Sequence, residues 1–137
     1  MIVIDTSAIL AYMNSADTHH DEVSVWIEGE RDDLTTTPLV VAEVDHLVGA
    51  RGGQAALSAL RADLARGAYL VDWWTEALGT TVSVAERYPG IGLTDASLVA
   101  LAERVGTISV ATLDERHFRS LRPLTGDDAF RLLPRDR

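Results

Sequence analysis

The sequence predicts an α/β fold: a central parallel sheet of about five short strands, covered on both faces by helices. Three observations carry that reading. Short apolar runs rich in β-branched residues, such as Met1–Ile4, read as strands buried on both faces. Between such runs lie longer stretches whose apolar residues recur at helical spacing, as Leu57, Leu60 and Leu64 do. Strand and helix patterns alternate along the chain, the order a parallel sheet with crossover helices requires. Right-handed crossovers then limit the topology.

The elements follow in order. Met1–Ile4 is the first strand, and Thr6-Ser7 offer capping to a helix over Ala8–Asn14. Asp21–Glu30 is helical, with Val23, Trp26 and Ile27 as its apolar side. Leu34–Thr37 is the second strand. Pro38 suits a first helical turn, where its missing N–H is no loss. That helix runs to about Gly49, the Gly52-Gly53 pair breaks the chain, and the next helix ends near Gly67. Tyr69–Val71 is the third strand, Thr75–Arg87 a helix stopped before Pro89-Gly90, and Thr94–Val105 an amphipathic helix stopped by Gly106. Thr107–Ala111 and Phe130–Leu133 complete the sheet. No repeat, low-complexity stretch or proline-rich linker divides the chain, so 1–137 reads as a single domain.

Composition excludes several chemistries. Hydrophobic residues make up 47% and charged residues 24% of the 137 residues, ordinary for a globular protein. There is no cysteine, hence no disulfide scaffold, thiolate zinc site or cysteine nucleophile. The 12 basic residues are all arginine. The lack of lysine excludes the P-loop, Schiff-base chemistry and the lysine-dependent aspartyl-phosphate enzymes. A net charge of −9 disfavours long-range attraction to nucleic acid, so any such binding must come from local arginines or bound metal ions. No apolar run approaches ~18 residues, and Met1–Asp5 lacks the basic region of a signal peptide. The expectation is a cytoplasmic protein with no membrane partner.

Four acids stand out by placement. Asp5 follows the first strand and Asp114 the fourth, and sites in open parallel sheets form outside the carboxyl ends of strands. Each has a plain alternative, an N-cap or a turn residue. Asp95 shares its helical face with Leu98, Val99 and Ala102, and Glu43 has Leu39, Val40 and Leu47 as helical neighbours. A carboxylate on a buried stripe costs several kcal/mol unless paired or metal-bound. Neither has a basic neighbour on its own face, whereas Asp45 reads as solvated. Four carboxylates at one rim repel one another and call for a cation, and hard oxygen ligands select Mg²⁺ or Mn²⁺. Such sites act on phosphate esters, the metal activating water and stabilising the charged transition state.

The same residues carry a resemblance. Met1-Ile2-Val3-Ile4-Asp5-Thr6-Ser7-Ala8, Val41-Ala42-Glu43-Val44, Leu93-Thr94-Asp95-Ala96 and Thr112-Leu113-Asp114-Glu115-Arg116-His117-Phe118 form an ordered set spanning the chain. The set resembles the PIN-domain ribonucleases, specifically the VapC toxins of bacterial VapBC pairs. The resemblance implies a three-layer α/β/α sandwich around five parallel strands. It implies a Mg²⁺- or Mn²⁺-dependent endoribonuclease that cuts tRNA, rRNA or mRNA and leaves 5′-phosphate and 3′-hydroxyl ends. It implies homodimerisation, and hetero-oligomeric assembly with an inhibitory VapB-type antitoxin. Asp5, Glu43, Asp95 and Asp114 take the catalytic, metal-ligand roles. Thr6, Ser7 and Thr112 orient carboxylates or a metal water. Glu115 is a doubtful accessory acid.

Other residues are weighed beside these. Arg51, Arg61, Arg66, Arg116 and Arg119 are candidate RNA contacts, since arginine grips phosphate bidentately and stacks on unpaired bases. His117 is a candidate RNA contact too, with a packing role favoured. His19-His20 lack further ligands for a metal site. Trp73-Trp74, Val23–Ile27 and the helix from Gln54 offer surface for a second copy or an antitoxin. Two other functions compete: a non-catalytic RNA- or partner-binding PIN module, and an aspartate-dependent phosphatase. The phosphatase needs a second acid where Ser7 stands, and a lysine.

Overall fold

A computed structural model describes residues 1–137. The strands are β1 (Ile2–Ile4), β2 (Leu34–Thr36), β3 (Leu70–Val71), β4 (Ser109–Ala111) and β5 (Arg131–Leu133). The helices are α1 (Thr6–Met13), α2 (His20–Gly29), α3 (Pro38–Ala65), α4 (Ala77–Arg87), α5 (Leu93–Val105) and α6 (Glu115–Arg119). The sheet is parallel throughout, in the order β3-β2-β1-β4-β5. The register pairs Val3 with Thr35 on one side and with Val110 on the other.

The apolar runs form the centre of the sheet because both faces are covered. Every residue of β1 is buried, as a continuous Ile-Val-Ile run demands. Helix α1 packs on α2 and α3, and α4 packs on α5. Right-handed crossovers set these two groups on opposite faces of the sheet. Helix α5 lies against β1, with Leu98, Val99 and Leu101 fully buried. Each of these side chains contributes ~1.5–3 kcal/mol by leaving water. Gly106, left-handed at φ 72, ends α5 as the sequence predicts, its N–H turned back to Ala102 and Glu103.

One local reading is corrected, one is borne out and one element is added. Thr6 and Ser7 lie inside α1, and the cap is Asp5, whose carboxylate accepts from the Thr6 N–H. The Gly52-Gly53 break is present: Gly53 leaves helical geometry and divides α3 into two helical stretches across a kink. Helix α6 was not foreseen: five residues are too few to display a 3.6-residue period.

Gly53 sits at φ 80, ψ −178, a region essentially reserved for glycine, with nothing within 4 Å of where a Cβ would stand. Gly53→Ala therefore strains the backbone without a clash. The expected loss is ~1–3 kcal/mol in urea denaturation. An unchanged midpoint would show that α3 can straighten there.

Candidate active site

The sheet order places the site. From β1 the chain steps outward to β2 and β3, then returns past β1 to β4 and β5. Crossovers leave opposite faces of the sheet on the two sides of this reversal, which opens a crevice beyond the carboxyl ends of β1 and β4. Asp5 follows β1, and its N–H donates to Ala111 O at 2.9 Å. Thr112, Leu113 and Asp114 follow β4.

Asp5 is only 4% exposed. Its Oδ1 accepts from the Thr6 N–H at 2.7 Å. Its Oδ2 accepts from Ser7 Oγ at 2.9 Å and from Thr112 Oγ1 at 2.8 Å. Ser7 Oγ also accepts from the Leu113 N–H at 2.9 Å, and Thr112 Oγ1 from the Asp114 N–H at 2.9 Å. The two loops are thus stitched together around one carboxylate. Burial, reinforced by the nearby Asp95 charge, pushes the Asp5 carboxyl up to about 6 against the opposing pull of these donors.

A cavity of about 370 Å³ opens at this rim, and Asp5, Glu43, Asp95 and Asp114 all line it. Asp95 enters from the first turn of α5. Burial, followed by repulsion from Asp114 and Glu43, raises its pKa, while His117 pulls the other way. His117 Nδ1 lies 3.1 Å from Asp95 Oδ2 and 2.9 Å from Asp114 Oδ2. Asp95, Asp114 and His117 offer ligand atoms within 4.8 Å of one another. Thr6 Oγ1 is buried at the cavity without a hydrogen-bond partner. None of the four acids pairs with an arginine.

The structure departs from the sequence reading at several residues. Glu43 is exposed, because the buried stripe of α3 is Val40, Val44 and Val48, and Glu43 lies one residue off it. It reaches the cavity as a lining residue all the same. Asp45, read as solvated, does lie at the surface, where Arg61 holds it through bonds of 2.8 and 3.0 Å. His117 does not take the favoured packing role: it bridges two of the acids, a contact across elements that no local spacing signals. Asp114 also caps α6, accepting from the His117 N–H. Arg61 is held by Asp45, and Arg119 by Asp136 at 2.7 and 2.6 Å; neither lines the cavity. Arg51 and Arg116 line the neighbouring clefts. Glu115 pairs with Arg135 at 2.7 Å, outside the acid group. His19 and His20 form no metal cluster: His20 bonds Ala11 O and His19 faces Glu22.

Comparison with known proteins adds sequence evidence to this geometry. The profile of the PIN domain matches residues 2–122. Ribonuclease VapC26 of Mycobacterium tuberculosis is 40% identical over 136 residues, which cover 97% of this chain and 100% of that protein. The chain belongs to the PIN-domain family, among its VapC ribonucleases. The crystal structure of Mycobacterium tuberculosis VapC20, described as a sarcin-ricin loop cleaving toxin, matches with a TM-score of 0.77. That match covers 83% of this chain and 90% of VapC20 at 20% identity, and it shows a shared PIN fold.

The buried carboxylate of this PIN domain has a measurable consequence in metal-free buffer. A carboxyl whose folded pKa lies at about 6, above its ordinary 3.8, favours the folded state below pH 3.8. That contribution is lost as pH rises through about 6. Asp5→Asn keeps the shape without the charge. The variant should match wild type near pH 4 and exceed it by about 3 kcal/mol near pH 8. Urea titrations at the two pH values measure this, and a variant weaker than wild type at pH 8 would contradict it.

Proposed function

We propose that this chain is the toxin of a toxin–antitoxin pair and a Mg²⁺- or Mn²⁺-dependent endoribonuclease. It hydrolyses phosphodiester bonds in tRNA, rRNA or mRNA and so halts translation and growth. The observation that carries this reading is the convergence of four carboxylates on one cavity with no arginine paired to any of them. Acids so placed are stable together only with added positive charge. The donor set is hard oxygen, which fits Mg²⁺ or Mn²⁺, and the orphaned hydroxyl of Thr6 fits a further water or ion contact. Asp5, Glu43, Asp95 and Asp114 would hold the ion. When bound, a divalent cation supplies charge for the phosphate and acidity for a water.

The chain's own residues do the positioning. Ser7, Thr112 and the Thr6 N–H fix both oxygens of Asp5, so its orientation is set before substrate arrives. Oδ1 carries only one of these donors and keeps acceptor capacity at the cavity that Asp5 lines. His117 lies within hydrogen-bond distance of Asp95 and Asp114, and it is not needed as a general base. Attack of water on phosphorus with loss of the 3′-oxygen leaves 5′-phosphate and 3′-hydroxyl ends. The names of the relatives support the toxin role. Inhibition by a VapB-type antitoxin and homodimerisation belong to the same reading. Exposed Trp73, Leu78 and Val82 support the presence of such partners.

Purified protein with total cellular RNA should give discrete cuts in Mg²⁺ or Mn²⁺. The cuts should vanish with EDTA and fall at least 100-fold in Asp5→Asn and Asp95→Asn, on the scale of losing an electrostatic group from the reaction centre. Ligation of the cleaved ends checks their chemistry, and 2′,3′-cyclic phosphate ends would overturn the water-attack mechanism. A second measurement follows the ion without activity. Mg²⁺ or Mn²⁺ at 100 times its Kd should stabilise wild type by about 2.7 kcal/mol, and stabilise Asp95→Asn much less. Equal stabilisation of both would remove Asp95 from the ion site.

A further inference from the structure

A strongly acidic chain that acts on a polyanion must hold it with local positive charge, and ion pairing sets which arginines are free to do so. Arg61, Arg66, Arg104, Arg119, Arg122 and Arg135 are engaged by carboxylates. Arg51 is unpaired, but its cleft between α1 and α3 is mostly apolar. Arg116 makes no ion pair or side-chain hydrogen bond and is exposed on α6. It lines a polar cleft of about 290 Å³ that shares Asp114 with the acid cavity. That volume is at the lower edge of the ~300–1,000 Å³ of small-ligand sites.

The other arginine of this cleft is ion-paired, while the Glu22 and Asp114 carboxylates that also line it are matched by no arginine. Arg135 is bound to Glu115 at 2.7 Å, and His19 stands 3.9 Å from Glu22. Arg116 is therefore the one arginine of the cleft without a carboxylate partner. It follows Asp114 by two residues, which limits the separation of their backbones to ~7 Å. A long arginine side chain from that position can reach a group next to one bound at Asp114.

The geometry points to Arg116 as the residue that grips the phosphate adjacent to the scissile one, with the polar cleft taking one nucleotide of single-stranded RNA. This rests on the nuclease reading above and adds to it a positioning residue and the direction in which the strand leaves the acids. The free guanidinium supplies two parallel donors for a phosphate, and the ion-paired rim leaves no second free charge to compete for it.

The test uses the full chain as wild type, Arg116→Ala, Arg116→Lys and Arg87→Ala. Arg87 is also unpaired but lies at the end of α4, away from both clefts, so it controls for loss of one charge. Binding of a fluorescein-labelled, unstructured RNA oligonucleotide is followed by anisotropy in Ca²⁺ over a salt series. Cleavage of the mapped substrate is followed in Mn²⁺. Arg116→Ala should bind about 10-fold more weakly, a change of about 1.4 kcal/mol. Its slope of log K against log salt should become shallower by ~0.7, the signature of one lost phosphate contact on a single strand. KM should rise with kcat held. Arg116→Lys should restore the slope, and Arg87→Ala should match wild type. If wild type binds and cleaves while Arg116→Ala keeps the slope and KM, the inference is overturned and the nuclease reading stands. If Arg116→Ala keeps its RNA binding but no longer retains a co-expressed antitoxin, the cleft belongs to a protein partner and the inference is likewise overturned. If wild type neither binds nor cleaves RNA, the nuclease reading fails and this inference with it.

Discussion

A carboxylate removed from water must be met by donors or surrender its charge, and Asp5 stands under that constraint at the point where the sheet reverses direction. Three donors converge on it: the first N–H of α1, the hydroxyl of the next residue and the hydroxyl that follows β4. The constraint ties the fold to the chemistry. The carboxylate that caps α1 is the same one that fastens the loop after β4 to the loop after β1. Moving either loop would strand a buried charge, which costs far more than an ordinary surface rearrangement.

The donors around Asp5 are also shared outward. Ser7 accepts from Leu113, Thr112 accepts from Asp114, and Asp114 in turn caps α6. Position therefore passes from one buried acid through two hydroxyls to a second acid 109 residues later in the chain. On the other side, Thr37 at the start of α3 bonds Ser97 at 2.8 Å, one turn from the start of α5 that carries Asp95. The acids come from four separate segments, but hydrogen bonds between hydroxyls and backbone groups hold those segments in register. Each added acid raises the cost of the others, and burial together with this repulsion pushes the Asp5 and Asp95 carboxyls up.

Charge elsewhere follows a complementary pattern. Half of the twelve arginines are neutralised by aspartates and glutamates, and such exposed pairs add little stability. Their effect is on recognition: pairing removes half of the arginines with which an RNA backbone would otherwise make non-specific contact. In a chain of net charge −9, the few free guanidinia beside the acids then weigh heavily on where a strand can lie.

Much of this protein is written in local sequence. The apolar strand runs, the glycine stops at Gly53 and Gly106, and the apolar face under Asp95 are short-range signals, because strand and helix periods depend on neighbours in the chain. The order of acids that marks the PIN family is likewise linear. Other features came only with the tertiary structure. Glu43 reads as part of a buried stripe, yet α3 is rotated so that Val40, Val44 and Val48 face inward and the acid looks into the cavity. His117 reads as a packing residue, and it meets Asp95 only because α5 and α6 come together at one rim. Arg61 and Arg116 look alike in the sequence, and their difference rests on whether the fold brings a carboxylate to each. Periodicity fixes which elements form. Which side chains touch across elements depends on helix rotation and sheet order, and those are decided by how the whole core packs.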